Sequence, residues 1–393
     1  MKTKSLLTLG VLFASATFAS SQTVYNITGA TAFRAAANQA IIALLGGAGV
    51  TEYAYTGNSG INGTNRALFI GNISGAPVIV RTSWSGSTQG ILDLTDQNSI
   101  QYLKTDVTTS TGGTVNAGAV GDFETAIARF SFSDVDKLLS ARPNSAIQGE
   151  GAGVVPFIFI AGEGSPAGIT NMTDQLHATL WSTGELPASM FTGDPANAGF
   201  TILATGRSSG SGTRAAVLAE TQYGAFTNVV QFNQAISGDR LTGALTGSPT
   251  LFSPGGNGGN SSNSGVRDLV TRTPSASFAG GNYAFVSYLT VSDAVAATGY
   301  DELTGTSSGG EGARALTYNG VRYSEENVNN GSYTLWSYQQ LYRTADSTPA
   351  EDTFFNALKG QIDGVLTPAL GLPTSGLQVE RTGGDGGPVA PLN

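Results

Sequence analysis

Cysteine is absent from all 393 residues. The chain therefore has no disulfide, no thiolate nucleophile and no cysteine-ligated metal. Histidine occurs once, at His177, which excludes His-rich metal sites and leaves a single imidazole for acid–base work. Charge is also scarce. Charged residues make up 12%, with 19 cationic against 28 acidic side chains and a formal net charge of −9. That balance argues against nucleic acid and anionic membranes as partners. It does not argue against a small anion, whose binding depends on local dipoles and one or two arginines in a water-poor cleft. Beyond the N-terminus, no apolar run is long enough to span a bilayer.

Glycine is abundant, at 54 residues, and hydrophobic residues reach an ordinary 40%. The length suits two domains, with many loops around a sizeable core. The N-terminus has the order of a secretory signal: Lys2 and Lys4, an apolar run from Leu6 to Phe13, then Ala14, Ser15, Ala16, Ala19, Ser20 and Ser21. Residues 1–21 are thus expected to be removed, giving a periplasmic or secreted protein. With no cysteine after the apolar run, a bacterial lipid anchor is not expected. Loss of Lys2 and Lys4 takes the formal charge from −9 to −11.

Strand and helix patterns alternate, which favours an α/β sheet. Strands are expected at Thr23–Thr28, Val78–Ser83, Ile127–Phe132, Val154–Ala161, Phe200–Thr205 and Tyr283–Leu289. Helices are expected from Ala32 to Leu45, Ser87 to Leu92, Val135 to Leu139, Met172 to Thr183, from about Arg214, and from Ala350 to Leu366 after the start signal Ser347-Thr348-Pro349. Thr108–Gly121 and Ser253–Gly265 read as Gly-rich loops, and Gly383–Asn393 as a mobile tail.

The strand-to-helix junctions carry the chemistry. Arg207-Ser208-Ser209-Gly210-Ser211-Gly212-Thr213 puts small residues, hydroxyls and a guanidinium where a helix begins. The first turn of a helix offers unpaired N–H groups and the positive end of its dipole, a receptacle for a compact oxyanion. Gly206-Arg207-Ser208-Ser209-Gly210 also fits the G-x-S-x-G elbow of hydrolases, but the only histidine precedes it in the chain, against the order that motif requires. A dinucleotide reading of Gly210 to Ala215 lacks a following βαβ unit with a ribose-binding acid. Three further junctions resemble the first: Thr28-Gly29-Ala30-Thr31, Ser83 to Thr88, and Ser131-Phe132-Ser133-Asp134. In an open α/β sheet such carboxyl ends of strands line the ligand crevice. Capping explains any one of them; four together favour a shared anion site.

Taken in order, these stretches resemble the phosphate-binding proteins of ABC transporters, within the type II periplasmic binding-protein fold. Thr28 to Phe33 resembles that family's opening loop, Ser83 to Gln89 its Ser/Gly-rich loop, Ser133-Asp134 its S-D element, and Arg207 to Thr213 its R-x-x-G-S-G-T segment. Asn319-Gly320 and Glu326 to Leu335 resemble its later stretches. The resemblance implies a two-lobed α/β protein with a hinge: residues 22–155 plus 285–393 as lobe 1, residues 156–284 as lobe 2, and crossings near Val154–Phe157 and Tyr283–Tyr288. It implies inorganic phosphate held by Thr31, Ser85, Asp134, Arg207, Ser211, Gly212 and Thr213, with an amide of Ala32 or Phe33, and with no metal, cofactor or catalysis. Asp134 would accept a ligand that still carries a proton and repel one that does not. A monomer with an ABC permease as partner is implied. The departures are Arg34 in place of proline, Trp84 in a position of small residues, and Ser209 where an acid would orient the arginine. Another tetrahedral oxyanion, or a secreted surface or matrix protein reusing the scaffold, are the alternatives. Trp181, Trp336 and His177 are expected to be structural.

Overall fold

The computed structural model describes residues 22–55, 60–107, 114–115, 122–238, 243–274, 277–368 and 370–392. The expected leader at 1–21 and most of the Gly/Thr-rich loop at 108–121 lie outside the described residues.

The elements that position the site are, in chain order, β1 (Thr23–Gly29), α1 (Arg34–Leu45), β2 (Arg66–Ile73), β3 (Ala76–Ser83), α2 (Ser87–Thr95), β4 (Phe130–Ser133), β5 (Gln148–Ala161), α3 (Asp174–Thr183), β6 (Phe200–Ala204), α4 (Gly212–Glu220), α5 (Asn263–Val270), β7 (Asn282–Thr290), α6 (Val291–Thr298), β8 (Trp336–Arg343), α7 (Pro349–Val365), β9 (Val379–Arg381) and β10 (Val389–Pro391). The main sheet is mixed, and its path includes β6–β7–β5–β8–β4–β1–β3–β2. β1 runs parallel to β3 and β4. Their carboxyl ends, and the helices α1 and α2 that follow, therefore share one edge of the sheet.

β5 divides the molecule. Its first part, Gln148–Pro156, pairs with β8, and its second part, Phe157–Ala161, pairs with β7. Pro156, which has no amide to donate, stands where the partner changes. Residues Ala152–Ala161 are buried without interruption, as expected of a strand covered on both faces. One strand thus belongs to two half-sheets, and the chain crosses between them here.

The return crossing differs from the sequence expectation. β7 pairs with β6 and with the second part of β5, so residues 282–290 remain in the second half-sheet. The chain re-enters the first half-sheet only at Trp336, where β8 pairs with β4 and the first part of β5. The resemblance places the return crossing at Tyr283–Tyr288; the apolar character of that stretch goes with the burial of eight successive residues, Tyr283 to Thr290.

One hydrophobic cluster runs through both half-sheets. Trp181 and Trp336 are fully buried in it, and His177 stacks on Trp181 at 4.5 Å. α7 starts with the expected signal: Thr348 and Glu351 form a reciprocal capping box, with Pro349 in the first turn. The helix expected at Val135–Leu139 shrinks to a 3₁₀ turn at Lys137–Leu139. Among the described residues, no helix is long and apolar enough to cross a membrane.

Candidate anion site

The four junctions converge. From the first half come the end of β1, the start of α2 and the end of β4; from the second half comes the loop between β6 and α4. Gly29 adopts φ +110°, and a Cβ there would lie 2.0 Å from the Phe132 carbonyl oxygen, so only glycine permits β1 to turn against β4. The Ala30 amide donates to that same carbonyl at 2.8 Å.

Arg207 is 1% exposed, and its hydrogen bonds go to neutral acceptors. Nε donates to the Asn260 carbonyl at 3.2 Å, Nη1 to Asn263 Oδ1 at 2.8 Å and Thr213 Oγ1 at 3.4 Å, and Nη2 to the Ser261 carbonyl at 3.0 Å and Thr31 Oγ1 at 3.0 Å. Burial pulls the guanidinium down to about 10, with Asp134 partly restoring it, so it remains charged at neutral pH. The Gly-rich stretch at 253–265 is its brace. Gly259 packs so closely on the Arg207 backbone that a Cβ would meet its carbonyl oxygen at 2.3 Å, and Asn263 opens α5 behind Ser262 as cap. Asn260, Ser261 and Asn263 therefore orient the arginine.

Asp134 is 1% exposed. Oδ2 accepts from Thr213 Oγ1 at 3.2 Å, while Oδ1 is buried with no partner among the described residues. Its amide donates to Ser87 Oγ at 3.1 Å. Burial raises the carboxyl to about 6, against the opposing effects of Arg207, Ser87 and Thr213. Desolvation outweighs the favourable contacts here because the nearest cation acts through a hydroxyl rather than by direct pairing.

Three helices begin beside this pair, α1 shortly after Thr31, α2 at Ser87 and α4 just before Thr213. The first backbone bond of α1 runs from the Ala37 amide to the Phe33 carbonyl, so the amides from Phe33 to Ala36 have no intrahelical partner. Phe33 itself is buried beside Phe132, and Ala32 before it is half-buried; the contact from this segment to the pair is Thr31 Oγ1 with Arg207 Nη2. α2 begins at Ser87 and α4 at Gly212, and these two ends touch: a Cβ on Gly212 would lie 2.3 Å from the Ser87 side chain. Ser211 spends its hydroxyl on capping α4, accepting from the Arg214 amide at 3.3 Å. Arg34, at the first position of α1, donates to Asn65 Oδ1 at 2.7 Å, and its charge opposes that of Arg207.

Ser85 is not in this group. It is exposed, and its hydroxyl meets Thr28 at 3.1 Å and Asp93 at 3.2 Å. Ser87 takes its place. The sequence carries a signal for this, because Ser87 opens a helix and a side chain there leans back toward the N-terminus. Trp84 packs on Phe132 and is 5% exposed. A cavity of about 700 Å³ lies elsewhere, lined by Glu302, Glu325 and Glu326 with Arg322; its negative charge disfavours an anion.

No family profile matches the chain, and no curated protein matches it. Solved structures do. A candidate phosphate ABC transporter substrate-binding protein with bound phosphate from Clostridium perfringens is 13% identical, with 89% of this chain and 99% of that one covered, at a TM-score of 0.49. An ABC-type phosphate transport receptor from Vibrio cholerae is 11% identical, over 86% and 93%, at 0.44. A DING protein is 12% identical, over 90% and 92%, at 0.47. The question of ligand is carried by the geometry of the site.

Proposed function

We propose that this chain is an exported, two-lobed binding protein that captures inorganic phosphate and does no chemistry on it. Its lobes are residues 22–156 with 336–392, and 157–335, joined at Pro156–Phe157 and Leu335–Trp336. The observation that carries this reading is the meeting of Asp134 and Arg207 across Thr213, ringed by the N-termini of α1, α2 and α4. Three positive helix ends and a buried arginine in one place favour an anion. A buried acid in the same place favours one that brings a proton, as monohydrogen phosphate does and sulfate does not. The unpartnered Asp134 Oδ1 is the acceptor for that proton.

In the closed arrangement Thr31 and Thr213 occupy two of the Arg207 donors. Ligand takes over these donors, together with the amides at the three helix ends and the Ser87 hydroxyl. Hydrogen bonds to a charged ligand are each worth roughly 1.5–3 kcal/mol. Because donors come from both lobes, ligand favours closure, the hinge response of such binders, and a permease would read the closed form. Calorimetric titration of the leaderless protein, freed of carried-over anion, tests the proposal. Phosphate binds and sulfate binds at least tenfold more weakly; Arg207→Ala loses about tenfold or more in affinity. Equal binding of both anions, or none of phosphate, refutes it.

A further inference from the structure

The last residues of the chain bridge the two halves of the molecule. After α7 the chain hydrogen-bonds to β5, Leu372 with Val154 in both directions, and then crosses to the hairpin of β9 and β10. The loop of that hairpin, residues 382–388, has two ends of different attachment. On one side Asp385 Oδ2 accepts from the Asp136 amide at 2.7 Å and Oδ1 from the Tyr338 amide at 3.2 Å. Asp136 lies two residues beyond Asp134. On the other side Glu220, the last residue of α4, accepts from the Gly386 amide at 2.8 Å and pairs with Arg381 Nη1 at 2.5 Å. Gln222 Nε2 donates to the Gly386 carbonyl at 2.9 Å.

The Glu220 and Arg381 side chains are only 1% and 2% exposed. Arg381 also donates to the carbonyls of Thr334 and Trp336, at 2.5 and 2.8 Å, and lies over the Trp336 ring at 4.2 Å. It therefore grips the return crossing itself. A buried ion pair of this kind contributes little through its charge alone but fixes one arrangement, since separating the partners leaves each charge desolvated and unpaired.

We propose that the β9–β10 hairpin is a clasp across the hinge, and that Glu220, Arg381 and Asp385 are positioning residues for the anion site. One end holds the turn that carries Asp134, and the other holds the helix whose first turn carries Thr213. Opening the cleft moves these apart, so the clasp must release one of them. Its interactions then belong to the closed state and slow the escape of ligand more than they change its entry. The inference rests on the binding reading above for its kinetic form, but the coupling of hairpin to closure stands apart from the identity of the ligand.

The test compares wild type with Asp385→Asn and Glu220→Gln, and with the milder Gln222→Ala in case a buried substitution prevents folding. Stopped-flow kinetics with inorganic phosphate are expected to show dissociation at least fivefold faster with association within about twofold. Small-angle X-ray scattering of the phosphate-free proteins is expected to show a larger radius of gyration in the variants. Folded variants with unchanged dissociation and an unchanged radius overturn the clasp. If wild type binds no phosphate, the functional reading fails, and the scattering comparison alone decides the clasp: an increase supports it and equality rejects it.

Discussion

Asp134 and Arg207 are linked through one hydroxyl: Thr213 Oγ1 donates to Asp134 Oδ2 at 3.2 Å and lies 3.4 Å from Arg207 Nη1. The acid comes from the end of a strand in one half-sheet, and the arginine and threonine from a loop of the other. The link is therefore made only when the halves are together.

Replacing Asp134 by Asn separates its two effects. Selectivity against sulfate is expected to shrink, because a neutral amide no longer repels an unprotonated dianion. Stability changes in the opposite sense. The folded carboxyl sits at about 6, above its ordinary 3.8, so ionisation is harder in the folded state than in the unfolded one. The ligand-free wild type carries that penalty fully above pH 6 and loses it as pH falls toward 3.8, at most about 3 kcal/mol from a shift of this size. Asp134→Asn should thus be the more stable protein at about pH 7.5 and show no advantage at about pH 3.5. Urea unfolding at both values checks this; an unchanged difference between the two pH values rejects the titration.

Ser87→Ala and Ser85→Ala are adjacent in purpose and opposite in expected effect. Ser87 is buried against Asp134, whereas Ser85 is exposed and bonded to Thr28 and Asp93. Phosphate affinity is expected to fall about fivefold to tenfold in Ser87→Ala and by less than about twofold in Ser85→Ala. Titration of the pair measures it, and the reverse order would return Ser85 to the site.

Much of the site is legible in the sequence because its residues occur as short local patterns. Thr31, Asp134, Arg207 and Thr213 each stand where an apolar strand gives way to small residues, and that signal needs no knowledge of the rest of the fold. Asn260, Ser261 and Asn263 are not legible. They hold Arg207 from a Gly-rich stretch with no periodicity, and backbone carbonyls have no sequence signature. β8 escapes notice because Trp336–Arg343 alternates polar and apolar residues only loosely, its glutamines being drawn into a central strand by tertiary pairing. The same reason applies to the tail. Gly383–Asn393 has the composition of a frayed end, yet Asp385 and Gly386 are bonded on both sides, and β10 pairs with β9.

His177 supplies a prediction about acid stability. It is fully buried, stacked on Trp181, with both ring nitrogens unpartnered among the described residues. Burial holds it down to about 3, from an ordinary 6.5. The neutral ring is favoured in the folded state, so its stability contribution is present above pH 6.5 and is lost as pH falls toward 3, on the order of 5 kcal/mol in full. His177→Leu should flatten the fall in melting temperature between about pH 6.5 and pH 4 while leaving phosphate affinity at neutral pH unchanged. A fall as steep as wild type would place the acid sensitivity elsewhere.

Gly212→Ala tests closure directly. Gly212 opens α4, where alanine suits the helix better than glycine by up to about 1 kcal/mol. The obstacle lies across the cleft. A Cβ would stand 2.3 Å from the Ser87 side chain and 3.3 Å from Asp134 Cβ, whereas at Gly210, two residues earlier, it would meet nothing within 4 Å. Gly212→Ala is therefore expected to remain folded and lose at least about tenfold in phosphate affinity, while Gly210→Ala binds like wild type. Pairing Gly212→Ala with Ser87→Gly removes the collision. The double variant should bind phosphate more tightly than Gly212→Ala alone, although Ser87→Gly by itself weakens binding, the non-additivity expected of two positions in contact. Additive losses would mean that α2 and α4 do not meet when the ligand is held.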